Sequence, residues 1–270
     1  MQPGYSVQIK DILHATIGSA ASLFLPPIRK FAILSSGRSG SNLLTALMKS
    51  HPEVMQHGEI FGEFQLESPL VRRRINRAGV KAYLDRRLSR LTTERLTGVK
   101  ILYGNLEARY GQVRGIPGNE ALLPDMIADP SIRFVHLRRK DKLALLISMR
   151  LAGELQNWTS GSYGDKTVEM PVDWVREQFE WLQSWEDRIA REFPEDRLLQ
   201  MTYEDLVADS EGEMARLFDF LDLKPAPVQS RMSRQNTRSK AEVVENFDEL
   251  RAAFAGTPHA GLFEDPPQLV

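Results

Sequence analysis

The chain contains no cysteine. That excludes disulfides, thiolate metal sites and a thiol nucleophile, and it fits a reducing compartment, so a cytoplasmic location is expected. Net charge is almost absent too: 35 Lys and Arg stand against 36 Asp and Glu, giving −1 at pH 7. Such a balance offers no general reason to expect nucleic acid as a partner and leaves room only for local basic pockets. Long apolar runs are missing. The stretch from Ile12 to Leu25 comes nearest, but Asp11 and His14 interrupt it and Pro26-Pro27 end it. It is too short to span a bilayer and lacks the basic start of a signal peptide. Residues 1–30 therefore read as an N-terminal helix or arm, with a weak membrane-surface contact as the minority reading. There is no internal repeat, no low-complexity tract and no clear linker. The five His are scattered, so no metal cluster is visible and none is expected.

What remains is the make-up of a globular protein: 270 residues, 42% hydrophobic and 26% charged. The most informative stretch is FAILSSGRSGSN, residues 31–42, continuing into LLTALMKS. Phe31 to Leu34 is an apolar run of strand length, and Leu43, Leu44, Leu47 and Met48 recur at helical spacing. Between them lie Ser35, Ser36, Gly37, Arg38, Ser39, Gly40, Ser41 and Asn42. A strand feeding a helix through so small-residued a loop aims backbone N–H groups at one point, with the helix N-terminus behind them. That is an anion site, and phosphate is the usual guest. The loop is not a Walker A, because no Lys follows the second glycine, and it is not the dinucleotide G-x-G-x-x-G. Alone, it could be an ordinary polar strand–turn–helix.

Further along, Val54 to Gln56 suits a short second strand, followed by HGEIFGEF at 57–64. Glu59 and Glu63 stand among Ile60, Phe61 and Phe64. A carboxylate against apolar surface becomes a better base, whereas a solvated loop acid does not. If the second strand runs beside the first, Glu59 opens onto the crevice of the anion loop; His57 is the alternative base. Residues 68–93 form a basic helical stretch with an apolar stripe, read mainly as a solvated face. A third strand, 98–103, carries Lys100. A lysine inside a buried strand is costly unless it meets an anion or a carboxylate; on an edge strand it would be ordinary.

The fourth strand, IRFVHL at 132–137, runs into Arg138, Arg139 and Lys140, then Asp141 as N-cap of the following helix, with Ser148 two turns in. Cations and a hydroxyl so placed suit a second phosphate. Trp174, Trp181 and Trp185 in a helix over 172–193 read as core. A fifth strand, 197–201, precedes helices at 211–222 and 241–255, with a basic loop, RMSRQNTRS, at 231–239 between them. Alternating strands and helices predict an α/β fold. The expectation is a single domain over 31–265 with a mostly parallel central sheet flanked by helices, then a tail at 266–270.

Four segments in order resemble the sulfotransferase superfamily: FAILSSGRSGSNLL, FVHLRRKDKLALLISMRLA, YEDLVADSEGEMARLFDFL and RQNTRS. Within it the chain is similar to the bacterial carbohydrate branch that includes the Nod-factor sulfotransferases, most clearly over SRQNTRSKAEVVENFDELRAAFAGTP. The resemblance covers residues 31–265. It implies a P-loop-like fold and transfer of a sulfuryl group from 3′-phosphoadenosine 5′-phosphosulfate to a hydroxyl of a carbohydrate or glycolipid, without metal. It implies that Ser36, Gly37, Arg38, Ser39, Gly40, Ser41 and Asn42 hold the 5′-phosphosulfate. Arg139 and Ser148 would hold the 3′-phosphate, while Arg234, Gln235 and Arg238 close over the nucleotide. Glu59 would be the general base, with Arg38 and Lys100 stabilising the leaving group. Two departures stand out. Gly37 replaces the usual proline, and the spacing from Arg139 to Ser148 is one residue longer than the common pattern, which brings in Lys140 as an alternative. The rival expectations are a P-loop-type kinase and a non-catalytic nucleotide-binding protein on the same fold.

Overall fold

The computed structural model describes residues 28–62, 66, 68–89, 94–106, 122–158, 162–230 and 238–264. The apolar run at 31–34 is the middle of β1 (Arg29–Ser35), where Phe31, Ala32, Ile33 and Leu34 are wholly buried. A strand buried on both faces belongs at the centre of a parallel sheet. α1 (Ser41–Ser50) follows, and β2 (Val54–Glu59) comes next. The basic stretch expected as one helical run over 68–93 is two helices, α2 (Pro69–Ala78) and α3 (Val80–Arg87). Gly79 separates them at φ 86°, a conformation that side chains disfavour. β3 (Leu96–Leu102), α4 (Leu122–Ala128), β4 (Ile132–Arg138) and α5 (Lys142–Leu155) lead to the long α6 (Val172–Glu192). β5 (Leu198–Thr202), α7 (Tyr203–Ala208) and α8 (Ser210–Phe220) come next. The helix expected at 241–255 is also divided, into α9 (Lys240–Val243) and α10 (Phe247–Ala253).

Among the described residues the five strands are all parallel, in the order β2-β3-β1-β4-β5. Their register aligns Leu34 with Ile101 on one side and His136 on the other. Packing between β1 and β3 is so close that a Cβ on Gly98 would collide with the Phe31 ring. One face of the sheet is covered by α1 and α8, through Phe31, Ile33, Leu44, Met48, Leu217 and Phe218. The other is covered by α5 and α6, through Leu34, Ile101, Phe134, Leu146 and Phe179. This is the expected single α/β domain. After β1 the chain leaves toward β2; after β4 it leaves toward β5 on the opposite side. The carboxyl ends of β1 and β4 are therefore the point where the winding reverses, and ligands of open parallel sheets sit there.

Candidate active site

The loop after β1 is held in an uncommon shape. Arg38 has φ 64° and Gly40 φ 83°, so two of its residues are left-handed. Glycine tolerates that geometry, whereas arginine adopts it only under constraint. Inside the loop the buried hydroxyls of Ser36 and Ser39 meet at 2.5 Å. A Cβ on Gly40 would run into the Tyr203 ring at the start of α7, so that position needs glycine twice over. α1 begins at Ser41 with no side chain capping its first turn. The N–H groups there face the crevice end of β1, where helix-terminus anion sites form.

On the β4 side, the structure sorts the three consecutive cations. Arg138 turns to Glu186 of α6, at 3.9 Å. Lys140 turns outward to Asp205, at 2.7 Å, and its backbone N–H donates to Glu204. Arg139 instead lies over the Tyr203 ring, 5.0 Å from its centroid, and donates to the carbonyl of Arg38 at 3.2 Å. Arg38 reaches back across the crevice. Its Nε donates to Ser148 Oγ at 3.0 Å, and its Nη atoms donate to the Trp158 carbonyl at 2.6 Å and the Tyr163 hydroxyl at 2.8 Å. Burial lowers the guanidinium pKa and the Tyr163 hydroxyl raises it; arginine keeps its charge regardless. Asp141 caps α5 as expected, accepting from the Ala144 N–H at 2.9 Å. Ser148 and Arg139 thus both meet Arg38, one at its side chain and one at its backbone.

The β2–β3 side carries the acid. Pairing between these strands slips by one residue between Gln56 and Glu59, so that Glu59 stands opposite Lys100. The slip is a β-bulge, with Gly58 at φ 74°. One extra residue swaps the face on which every later side chain points. The bulge therefore puts Glu59 on the Lys100 face, and Glu59 Oε2 lies 3.0 Å from Lys100 Nζ. Lys100 is 6% exposed and also donates to Asn42 Oδ1 of α1 at 2.7 Å. The expected alternative of an edge-strand lysine does not hold, since β3 lies between β2 and β1. Gly62 closes over the carboxylate, where a Cβ would stand 3.0 Å from Glu59 Oε1. His57 meets Thr97 Oγ1 at 3.2 Å, on the face away from Lys100.

Beneath the crevice Tyr103 and His136 share a hydrogen bond of 2.6 Å, and Tyr103 stacks on Trp185. Burial, then the charge of Arg138, pushes His136 down to about 3. Burial, then Glu186, pushes the Tyr103 phenol up. Both groups stay neutral near pH 7, so they form a floor and not an acid–base pair.

Among the expected site residues, the structure brings together Ser36, Gly37, Arg38, Ser39, Gly40, Ser41, Asn42, Glu59, Lys100, Arg139 and Ser148. Arg238 donates from its guanidinium to the Lys166 carbonyl, in the turn that follows Tyr163. Arg234, Gln235 and Glu63 fall outside the described residues. Three contributors were missed by sequence reasoning: Tyr203, Tyr163 and the carbonyl of Trp158. Among the described residues, no group of His, Asp and Glu is arranged to hold a metal ion.

Comparison with known proteins bears on the chain as a whole. A family model described as a sulfotransferase family matches residues 126–227. Nodulation protein H of Rhizobium meliloti is 26% identical over 246 residues, spanning 89% of this chain and 96% of that protein. Nodulation protein H of Rhizobium tropici is equally identical, over 89% and 95%. Among solved structures, a sulfotransferase from Alicyclobacillus acidocaldarius superposes with a TM-score of 0.51 at 14% identity, over 90% of this chain and 98% of that one. That likeness speaks to the fold. The resemblance read from the four sequence segments is borne out: the chain is similar to the sulfotransferases in sequence and in architecture.

Proposed function

We propose that this chain is a sulfotransferase that moves a sulfuryl group from 3′-phosphoadenosine 5′-phosphosulfate to a hydroxyl of a carbohydrate or glycolipid. The observation that carries the reading is the juxtaposition of a Glu59–Lys100 pair, its lysine buried and its glutamate partly exposed, with an uncapped helix N-terminus through Asn42. The donor fits the residues present. The left-handed Gly40 leaves the loop backbone open to an anion, and the uncapped first turn of α1 offers donors for the 5′ end. Arg38 adds a full charge for the 5′-phosphosulfate and its leaving oxygen, while Arg139 and Ser148 supply donors for the 3′-phosphate. When bound, the donor supplies an activated sulfuryl group and departs as adenosine bisphosphate.

The chain's own residues then divide the work. An acceptor hydroxyl is a weak nucleophile, and Glu59 takes its proton as the oxygen attacks. Lys100 supplies positive charge where the departing phosphate gathers negative charge. The pair couples these roles. A proton arriving on Glu59 removes the carboxylate that engages Lys100, so the ammonium becomes available to the leaving oxygen at the moment it is needed. Asn42 holds Lys100 in place throughout. Among the described residues no helix is long and apolar enough to cross a membrane. The absence of cysteine suits a reducing compartment, and the proposal includes the cytoplasm.

The test is transfer itself. The protein is incubated with labelled donor and an extract of its source cell, and the labelled products are identified by mass. Label on a carbohydrate or glycolipid is the expected result. Magnesium-dependent ATP turnover with no transfer of label would overturn the reading in favour of phosphoryl transfer, for which the loop lacks the Walker lysine.

A further inference from the structure

A second concavity, of about 340 Å³, adjoins the anion loop and takes no part in the chemistry above. It is lined by Met149, Arg150, Gly153 and Glu154 of α5 and by Trp174 of α6. The α5 residues fall on one face because positions three and four apart are neighbours on a helix. Its volume lies within the range of roughly 300–1,000 Å³ typical of small-molecule sites. One end touches the loop: the Met149 methyl lies 3.7 Å from where a Cβ on Gly37 would stand. The Trp158 indole stands over Gly153, 3.9 Å from where a Cβ there would sit. Trp158 is 46% exposed, a costly position for an indole, yet its backbone is fixed because its carbonyl accepts from Arg38 at 2.6 Å. The groove therefore adjoins both the anion loop and a held, exposed aromatic face.

The polar groups choose among occupants. Arg150 and Glu154 pair at 3.5 Å, and Arg150 also lies 6.0 Å from the centre of the Trp174 ring. This pair adds no net charge, so the groove is unsuited to a phosphate. It still offers a guanidinium donor and a carboxylate acceptor beside apolar faces. A neutral ring with C–H faces and peripheral hydroxyls matches that set: C–H against indole, hydroxyls to Glu154 and from Arg150. We infer that this groove seats a neutral sugar ring of the acceptor. The inference rests on the carbohydrate reading above and assigns the acceptor a place.

Saturation-transfer NMR on the full chain, with adenosine 3′,5′-bisphosphate present, tests it using cellotriose, maltotriose and triacetylchitotriose as probes. At least one trisaccharide should receive saturation from the wild type. Trp158→Ala should weaken that binding by about tenfold or more, as truncating an aromatic anchor does. Trp158→Phe should restore most of it, and Glu154→Gln should weaken it less. Circular dichroism melting serves as the folding control, and calorimetry with the bisphosphate reads whether the nucleotide uses the same aromatic face. Failure of all three sugars to bind the wild type overturns the inference. So does a loss of bisphosphate affinity in Trp158→Ala with sugar binding intact, which would give the groove to the adenine. A wild type that binds sugar but no bisphosphate would sink the sulfotransfer reading and leave the groove assignment standing.

Discussion

On the β2–β3 side of the crevice a lysine and a glutamate stand 3.0 Å apart, with the lysine almost wholly buried. On the β4–α5 side two arginines are met by hydroxyls, two carbonyls and an aromatic ring. The difference follows from burial. A charge taken out of water needs an opposite charge, so Lys100 and Glu59 come as a pair. Arg38 and Arg139 are both partly exposed, and the neutral oxygens that meet them are ones a phosphate outcompetes. On the proposed reading, one side is prepared for a proton to move and the other for an anion to arrive. Substitutions on the two sides should therefore fail differently, in turnover on the first and in nucleotide affinity on the second.

The largest effect belongs to Glu59. Glu59→Gln keeps the shape and removes the basicity, and turnover should fall by about 10²–10⁴-fold, the usual worth of a positioned base. Affinity for adenosine 3′,5′-bisphosphate should barely change. Turnover within a few-fold of wild type would remove the proton-transfer role from this side, and loss of nucleotide binding with turnover would collapse the distinction between the two sides.

Arg38→Ala is the matching break on the other side. It removes charge-assisted hydrogen bonds, so bisphosphate affinity should weaken by about 1.5–3 kcal/mol, roughly 10- to 150-fold. Calorimetry on the folded variant reads this directly, and unchanged affinity would contradict the anion-loop assignment.

These two sides were not equally legible in the sequence. The anion loop could be read because strand, loop and helix are contiguous, and each announces itself by local periodicity. Lys100 could be flagged because charge in a buried strand demands a partner. The identity of that partner could not be read with certainty, because it depends on a one-residue slip between β2 and β3, and register is a property of two strands at once. Tyr203 packs against Gly40 from far along the chain, and nothing local links them. Gly79 was a visible helix breaker, but the apolar stripe runs through both α2 and α3 and masks the division. Which of Arg138, Arg139 and Lys140 faces the loop was beyond sequence reasoning, because it turns on where Glu186 and Asp205 come to lie.

The bulge offers a third break, confined to the acid side. Gly58 sits at φ 74°, and the nearest atom to a Cβ there would be Lys49 Nζ at 3.8 Å. Space is therefore available, and Gly58→Ala meets backbone strain alone. Stability should fall by about 1–2 kcal/mol in urea unfolding, the cost of a left-handed alanine. The variant can relieve that strain by straightening the bulge, which turns Glu59 away from Lys100. Turnover should then fall while bisphosphate affinity holds. Unchanged turnover in a destabilised protein would show that the acid's placement does not depend on the bulge.

The smallest effect is expected at Lys140, and it sharpens the anion side. The family spacing points to Lys140 as reader of the 3′-phosphate, whereas the structure turns it outward onto Asp205, with both side chains more than half exposed. An exposed pair of this kind adds little, so Lys140→Ala should leave thermal stability nearly unchanged. Arg139 is the cation aligned with the loop, through its donation to the Arg38 carbonyl and its seat on Tyr203. Comparing adenosine 3′,5′-bisphosphate with adenosine 5′-monophosphate isolates the contribution of the 3′-phosphate. The wild type and Lys140→Ala should prefer the bisphosphate to the same degree, while Arg139→Ala loses much of that preference. If Lys140→Ala loses the preference and Arg139→Ala keeps it, Lys140 swings inward on binding. The outward pairing with Asp205 would then describe only the nucleotide-free arrangement of this side.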